Sequence, residues 1–241
     1  MRKNSHFSGQ PLYGQVIKLL DKSKILHFSR EGGGERYTKR FNCWIHLVVM
    51  LYAVIMRFDS LREITTSLLA ETRKLAHLGI TFKIGRSTLA DANKRRDEAI
   101  FESIYRDLYA TYRHVLSSDS QSGKSPKWMK RLQIIDSTTI TMFSNLLFKQ
   151  VKQNFPLKYF YGESANAIKI QIWVTLIANL LLMVMQKGLK RKWSFSGLAT
   201  MVRITLMYYV DFYSLFNNPE KDWEIMLSKA SGQLSEPSLF D

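Results

Sequence analysis

The first half of the chain follows a helical pattern of apolar and polar residues up to about residue 118. Apolar residues recur every three or four positions, and turn or capping signals separate the runs. Positions 12–20 predict a short first helix, and the glycine-rich stretch 31–35 predicts a flexible loop after it. A strongly apolar helix is predicted over about 41–58. The first half is therefore expected to be all helical.

Two further helices are predicted between residues 60 and 115. Ser60 and Glu63 have the spacing of a capping box, which satisfies free backbone N–H groups at a helix start. The apolar face that follows ends near Gly79, a residue type suited to ending a helix. After a turn, a second helix is predicted to begin near Ser87 or Thr88, either of which provides a capping hydroxyl, and to continue to about residue 115.

The periodicity changes beyond a linker rich in Ser, Gly and Lys. Residues 132–136 form a short apolar run, and β-branched residues over 137–143 favour a second strand. A long helix over 165–187 with Ser164 as its cap, and another over 196–216, are predicted to follow. The predicted domains are thus a helical domain at 1–118, a linker at 119–130 and a second domain at 131–241.

The net charge of the chain indicates which class of partner it binds. The chain of 241 residues has 35 Lys and Arg against 20 Asp and Glu, a formal charge of +15. Such an excess favours a polyanion such as nucleic acid or anionic lipid. The single cysteine, Cys43, excludes an internal disulfide framework, and no apolar run follows the basic start, so a cytoplasmic protein is expected.

Two strongly apolar stretches, 43–56 and 172–185, raise the question of a membrane. Each is shorter than the roughly 20 residues that a spanning helix needs, and polar residues such as His46 and Asn179 interrupt them. Buried helices of a soluble protein, with no membrane partner, are the favoured interpretation. A helical membrane-associated protein is kept as an alternative.

The pair of helices between residues 60 and 98 resembles a helix-turn-helix unit. Small and polar residues at the start of the second helix suit a major groove, and its basic residues suit phosphates. The candidate DNA contacts in this unit are Arg86, Ser87, Thr88, Asn93, Lys94, Arg95 and Arg96. A solvated charged face on an ordinary core helix explains the same pattern equally well.

Asp136 stands at the carboxyl end of the first predicted strand. An aspartate there can project into a cleft and bind Mg²⁺ through oxygen, as metal-dependent phosphoryl transfer requires. An ordinary turn after a strand gives the same local sequence, and from the residues alone that reading is preferred.

Several separated blocks resemble the bacterial insertion-sequence DDE transposases of the branch with a Tyr-Arg-Glu-Lys signature. The matching blocks are Ser60-Leu61-Arg62-Glu63-Ile64, Ser87-Thr88-Leu89-Ala90-Asp91-Ala92-Asn93, Ile135-Asp136-Ser137-Thr138-Thr139-Ile140, Phe160-Tyr161-Gly162-Glu163-Ser164 and Ala167-Ile168-Lys169-Ile170-Gln171-Ile172-Trp173. The resemblance implies a ribonuclease H-like catalytic domain and makes Asp136 the first of three metal-binding carboxylates. Mg²⁺ is the cofactor that it implies for the intact family.

The chain departs from that family between Thr139 and Tyr161, where too few residues remain for the segment with the second Asp and the signature helix. By resemblance, Lys152 is the surviving signature lysine and a further DNA-binding residue, and the glutamate seven positions earlier is replaced by Asn145. A neutral amide cannot replace a catalytic carboxylate at a two-metal site. The expected fold is therefore mainly α, with an N-terminal helical DNA-binding region, a truncated ribonuclease H-like (α/β) remnant of one or two strands, and C-terminal helices.

These observations predict a transposase-derived protein that binds transposon-end DNA but is catalytically inactive. A repressor that occupies the ends of the parent element is the alternative within the same binding activity. Unpaired strand edges and an uncovered apolar face on the 165–185 helix predict self-association. Residues 233–240 resemble a split sliding-clamp-binding peptide, but Glu236 and Pro237 interrupt it, and a polar tail is the preferred reading.

Overall fold

The computed structural model describes residues 8–36, 38–117, 153–155 and 159–221. These residues are mainly helical, and within them the backbone forms no β-strand. The predicted strands over 132–143 lie outside the described residues. A mainly helical fold is therefore confirmed, and the ribonuclease H-like remnant stays a prediction.

The helices within the described ranges follow one another in this order: α1 (Leu12–Ile17), α2 (Lys22–Glu31), α3 (Cys43–Met56), α4 (Leu61–Ala70), α5 (Thr72–Ala76), α6 (Arg86–Arg95), α7 (Glu98–Ser117), α8 (Ala165–Lys187), α9 (Phe195–Thr205) and α10 (Phe212–Asn217). Helix α2 was not predicted from the sequence. Its N-cap is Asp21, whose side chain accepts hydrogen bonds from the N–H groups of Ser23 and Lys24 at 2.8 and 3.2 Å. Only Ile25 and Ser29 of α2 are buried, and so its sequence has little apolar periodicity.

Helix α3 is a core helix in which every residue from Cys43 to Ile55 is buried. A helix surrounded by protein needs no polar face, which explains its unbroken apolar sequence. His46 is accommodated because its Nε2 lies 2.7 Å from Asn93 Oδ1. Burial lowers the pKa of His46 to about 3, with a further contribution from the charge of Arg96. His46 is therefore a neutral core residue at physiological pH.

The predicted start of α4 is confirmed. Ser60 Oγ accepts the Glu63 N–H at 3.2 Å, and the Glu63 carboxylate accepts the N–H of Asp59 at 2.8 Å, one residue earlier than in a standard capping box. Gly79 ends the α4–α5 segment with φ of 78°, a left-handed conformation that glycine adopts without steric cost.

The single helix predicted from residue 88 to residue 115 is two helices. Helix α6 ends at Arg95 and α7 begins at Glu98, because Arg96 takes an extended backbone with ψ of 132°. Asp97 Oδ1 then accepts the N–H of Ala99 at 2.9 Å at the start of α7. Because of this break, the Arg96 side chain points toward Gly34 and Phe41.

Helix α8 lies at the centre of the fold, where it packs most extensively against α7 and next against α3. Its predicted cap is confirmed, because Ser164 Oγ accepts the N–H of Ala167 at 3.2 Å. The helix is long and apolar enough to cross a membrane, yet 67% of its most apolar window is buried inside the protein. The prediction of an uncovered apolar face on this helix is therefore wrong.

The helix predicted over 196–216 is interrupted between α9 and α10. The carbonyl groups of Leu206 and Tyr208 in this interruption accept the N–H groups of Tyr13 and Leu12 at 2.8 and 2.9 Å. Gln15 Nε2 also donates to the carbonyl of Val210 at 2.6 Å. The beginning of the chain is thus joined to its last described helices.

One hydrophobic cluster contains buried residues from α1 through α10. Helices from both predicted domains share this core, so the described parts of 1–118 and 131–241 do not form separate cores. The predicted linker at 119–130 lies outside the described residues.

Candidate nucleic-acid interface

Helix α6 is held on the body of the protein by one face. Leu89 and Ala92 are buried, and the helix packs against α4 and α8. Its N-cap residue is Gly85, with no side-chain hydrogen bond to the first turn. The prediction of Ser87 or Thr88 as the cap is therefore wrong, because the helix already begins at Arg86.

The other face of α6 is open to solvent. Exposed side chains at its start and end are those of Arg86, Ser87, Thr88, Lys94 and Arg95. Arg95 Nη2 lies 2.7 Å from Asp91 Oδ2, and both side chains are more than half exposed. The attraction between the two charges is therefore weak, because water screens it. The uncapped first turn also leaves backbone N–H groups that attract anions. These five positions keep the exposure that a DNA contact requires.

Asn93 is a correction to the predicted DNA contacts. It is 1% exposed, and its Oδ1 is occupied by His46 Nε2 at 2.7 Å. Its Nδ2 donates to the carbonyl of Tyr161 at 3.5 Å. Asn93 therefore joins α3 and α6 to the segment before α8, and it cannot reach a base.

Arg96 is the second correction, since it is only 4% exposed. Its Nε donates to the carbonyl of Gly34 at 3.2 Å, and its Nη2 donates to the carbonyl of Phe41, above whose ring the guanidinium lies. Burial lowers the pKa of Arg96. Arg96 holds the 34–41 segment against α6 instead of binding phosphate from the surface.

Asn166 near the start of α8 fixes the α6–α7 break. Its Nδ2 donates to the carbonyl groups of Asn93, Lys94 and Arg96 at 3.0, 3.3 and 2.6 Å. Its Oδ1 accepts the N–H of Glu98 at 3.1 Å. One side chain thus satisfies the end of α6 and the start of α7. It fixes the orientation of the exposed face of α6 relative to the core.

A groove of about 1570 Å³ runs between the 30–41 segment and α6. Its exposed cations are Arg30, Arg36, Lys39, Arg40, Lys83 and Arg95. Thr88 lines the same groove, so the groove adjoins the open face of α6. We call this the basic groove. The sequence did not indicate it, because its residues come from separated segments and only folding brings them together.

Glu35 organises the floor beneath this groove. Its carboxylate accepts hydrogen bonds from Ser29 Oγ, Thr38 Oγ1 and the Cys43 N–H at 2.7, 2.9 and 2.8 Å. Burial alone would raise the pKa of Glu35, but these hydrogen bonds and the charge of Arg96 outweigh it, and the pKa is lowered. The ionised carboxylate is therefore the form that the fold stabilises.

The Glu35→Gln variant is expected to be less stable than the native chain at pH 7 by about 1 kcal/mol, given the partial exposure of the carboxylate. A lowered folded-state pKa contributes stability above the unfolded-state pKa, and that stability is lost as pH falls through the folded-state pKa. The difference in melting temperature between the two chains should therefore shrink below about pH 4. Melting curves recorded from pH 7 to pH 3 test this, and a constant difference would contradict it.

Asp136 and Lys152 lie outside the described residues, and so their predicted roles in metal and DNA binding stay predictions. Within the ranges that the structure describes, no group of three His, Cys, Asp or Glu side chains is placed to hold a metal ion.

Comparison with protein families gives a match over residues 8–81 to a domain of unknown function (DUF4372), which is found in transposase-like proteins. The match spans α1 to α5 and the turn at Gly79, less than a third of the chain, and ends before α6. Comparisons with curated proteins and with solved structures give no match. The chain thus shares its N-terminal helical segment with transposase-like proteins.

Proposed function

We propose that this protein is a transposase-derived DNA-binding protein of a mobile element, acting in the cytoplasm on the ends of the transposon. The observation that carries the proposal is the exposed face of α6, where Arg86, Ser87 and Thr88 at its start and Lys94 and Arg95 at its end face solvent. The match of residues 8–81 to a domain found in transposase-like proteins supports the same origin.

The charge and packing of α6 suit a helix that enters a DNA groove. Its buried face, with Leu89 and Ala92, fixes the helix, while Asn166 holds its carboxyl end. Hydroxyl and guanidinium groups near the start of a helix can bind base edges, and cations at its end can bind phosphates. The overall charge of +15 favours approach to a polyanion.

We further propose that the protein does not cut or join DNA strands. The sequence provides Asp136 but has Asn145 where the resemblance places the glutamate, and no segment corresponds to the second aspartate. Two-metal phosphodiester chemistry needs several carboxylates around the ions, and one carboxylate cannot hold them in place. Burial of 67% of the most apolar window of α8 inside the protein favours this function over that of a membrane-associated protein.

Selection from a random duplex library, followed by anisotropy titration of the selected duplex, tests the DNA-binding function. The double variant Arg86→Ala/Thr88→Ala is expected to bind the selected duplex at least about tenfold more weakly. The matched control Lys18→Ala/Ser196→Ala removes one exposed cation and one exposed hydroxyl outside α6, and it should bind like the native chain. Equal binding by both variants would contradict the role of α6.

The same selected duplexes, incubated with Mg²⁺, test the absence of cleavage. No nicked or joined product is expected from the native chain. Cleavage that the Asp136→Ala substitution abolishes would overturn the proposal of an inactive enzyme while leaving the DNA-binding proposal in place.

A further inference from the structure

One wall of the basic groove is a glycine-rich stretch that packs closely on α7. A Cβ atom at Gly32 or Gly34 would lie 2.7 or 2.6 Å from the Ile100 side chain, so only glycine allows this close approach. Gly33 adopts φ of 67°, in the left-handed region. The stretch predicted as a loop over 31–35 forms turns after α2 and is packed against α7.

The positive charge of the groove is not neutralised from within. Arg30, Arg36, Lys39, Arg40 and Lys83 have no ion-pair partner among the residues that the structure describes. Of the two acidic residues that line the groove, Glu31 lies 3.4 Å from His27 and Glu35 is occupied by Ser29, Thr38 and the Cys43 N–H. Seven basic residues against two acidic residues line the groove, and this excess of positive charge attracts an external polyanion.

The floor of the groove adds a further cation. The buried Arg96 lines the groove, and its Nη1 has no hydrogen-bond partner among the described residues. The ionised Glu35 carboxylate interacts with this guanidinium and offsets part of its charge, so the excess positive charge of the groove comes mainly from the exposed cations. Thr88 and Arg95 belong both to the groove and to the exposed face of α6, which makes the two surfaces continuous.

We propose that the basic groove binds the sugar–phosphate backbone of duplex DNA. The exposed face of α6 contacts the bases of the same duplex. This inference rests on the proposed DNA-binding function and adds a second surface to it. Phosphate contacts fix the register and orientation of a protein on DNA, whereas contacts to base edges carry the sequence preference. The groove therefore supplies affinity and salt dependence, and α6 supplies sequence preference.

The experiment measures the affinity of the full chain for duplex DNA as a function of salt concentration. The groove variant is Arg36→Gln/Lys39→Gln/Arg40→Gln, in which three exposed cations become neutral. The control is Lys18→Gln/Lys190→Gln/Lys192→Gln, which removes the same charge from exposed positions that do not line the groove. Each chain is titrated with the selected duplex, a scrambled duplex and the selected single strand.

Each neutralised phosphate contributes about 0.9 to the slope of log affinity against log salt. Loss of three contacts should therefore reduce the slope by about 2 to 3, while the control reduces it by less than 1. The groove variant should weaken binding to the selected and scrambled duplexes by the same factor, so the preference between them is kept. The Arg86→Ala/Thr88→Ala variant should instead reduce that preference.

The outcomes separate the two proposals. If the native chain binds the selected duplex and the groove variant keeps the salt slope of the control, the groove inference is overturned and the proposed function stands. A groove variant that loses only single-strand binding overturns the assignment to duplex DNA. Absence of duplex binding by the native chain overturns both the groove inference and the proposed function.

Discussion

A fragment that contains only residues 1–118 is expected to show no cooperative thermal unfolding transition. Helix α8 packs against α7 and α3, and the fragment lacks it. Ile170, Val174, Ile177 and Leu181 of α8 are each 0% exposed. At about 1.5–3 kcal/mol for each buried aliphatic side chain, these four alone correspond to roughly 6–12 kcal/mol. That is comparable with the whole stability of a typical domain, about 5–15 kcal/mol.

Circular dichroism melting curves of the fragment and the full chain make this measurement. A second chain, residues 1–221, is the matched control because it keeps every helix from α1 to α10. It should unfold in one sigmoidal transition like the full chain. A fragment 1–118 that melts with the same midpoint and steepness as the 1–221 chain would show that the N-terminal helices form an independent domain.

The Asn166→Ala substitution is expected to have the second largest effect. It removes three donated hydrogen bonds to carbonyl groups at the end of α6 and one accepted from the Glu98 N–H. Loss of these partly buried contacts should destabilise the protein by roughly 2 kcal/mol. Duplex binding should also weaken under conditions where the variant is fully folded, because the carboxyl end of α6 loses its anchor.

Urea denaturation gives the change in unfolding free energy, and anisotropy titration gives the change in DNA affinity. Lys169→Ala is the control on the same helix. It removes the exposed ion pair with Glu98, and it should change neither quantity appreciably. Asn166→Asp should be as damaging as alanine, because its carboxylate cannot donate to the carbonyl groups. Normal stability for both Asn166 variants would contradict the anchoring role.

The sequence predicts helices best where local signals agree with burial. The caps at Ser60 and Ser164 and the left-handed turn at Gly79 are confirmed at the expected residues. Such signals act within a few residues along the chain, so they can be identified without the fold. The apolar stretches that become α3 and α8 are equally evident, because helices enclosed by protein need no polar side.

Contacts between distant segments could not be predicted in the same way. Asn93 and Arg96 belong to a polar and basic stretch that suggests an exposed DNA-binding helix, yet both are buried. The break after α6 turns Arg96 toward Gly34 and Phe41, which are about sixty residues away in sequence. Local patterns carry no information about partners at that separation.

One part of the candidate interface could be predicted from the sequence and the other part could not. The exposed α6 positions Arg86, Ser87 and Thr88 could be selected from the sequence because they stand together at a helix start. The basic groove could not, since the 30–41 segment and Lys83 become neighbours only when the loop packs on α7 and α6. The transposase resemblance led in addition to Asp136, which lies outside the described part of the chain.

The joining of residues 8–15 to residues 206–212 has a consequence for biosynthesis. The backbone partners of Leu12 and Tyr13, and the two backbone groups that bind the side chain of Gln15, lie almost two hundred residues later in the chain. In a nascent chain leaving the ribosome, these contacts can therefore form only after residues 206–212 have been translated. Premature termination would release apolar helices whose packing partners have not been synthesised. Such products are natural substrates for chaperones and proteases.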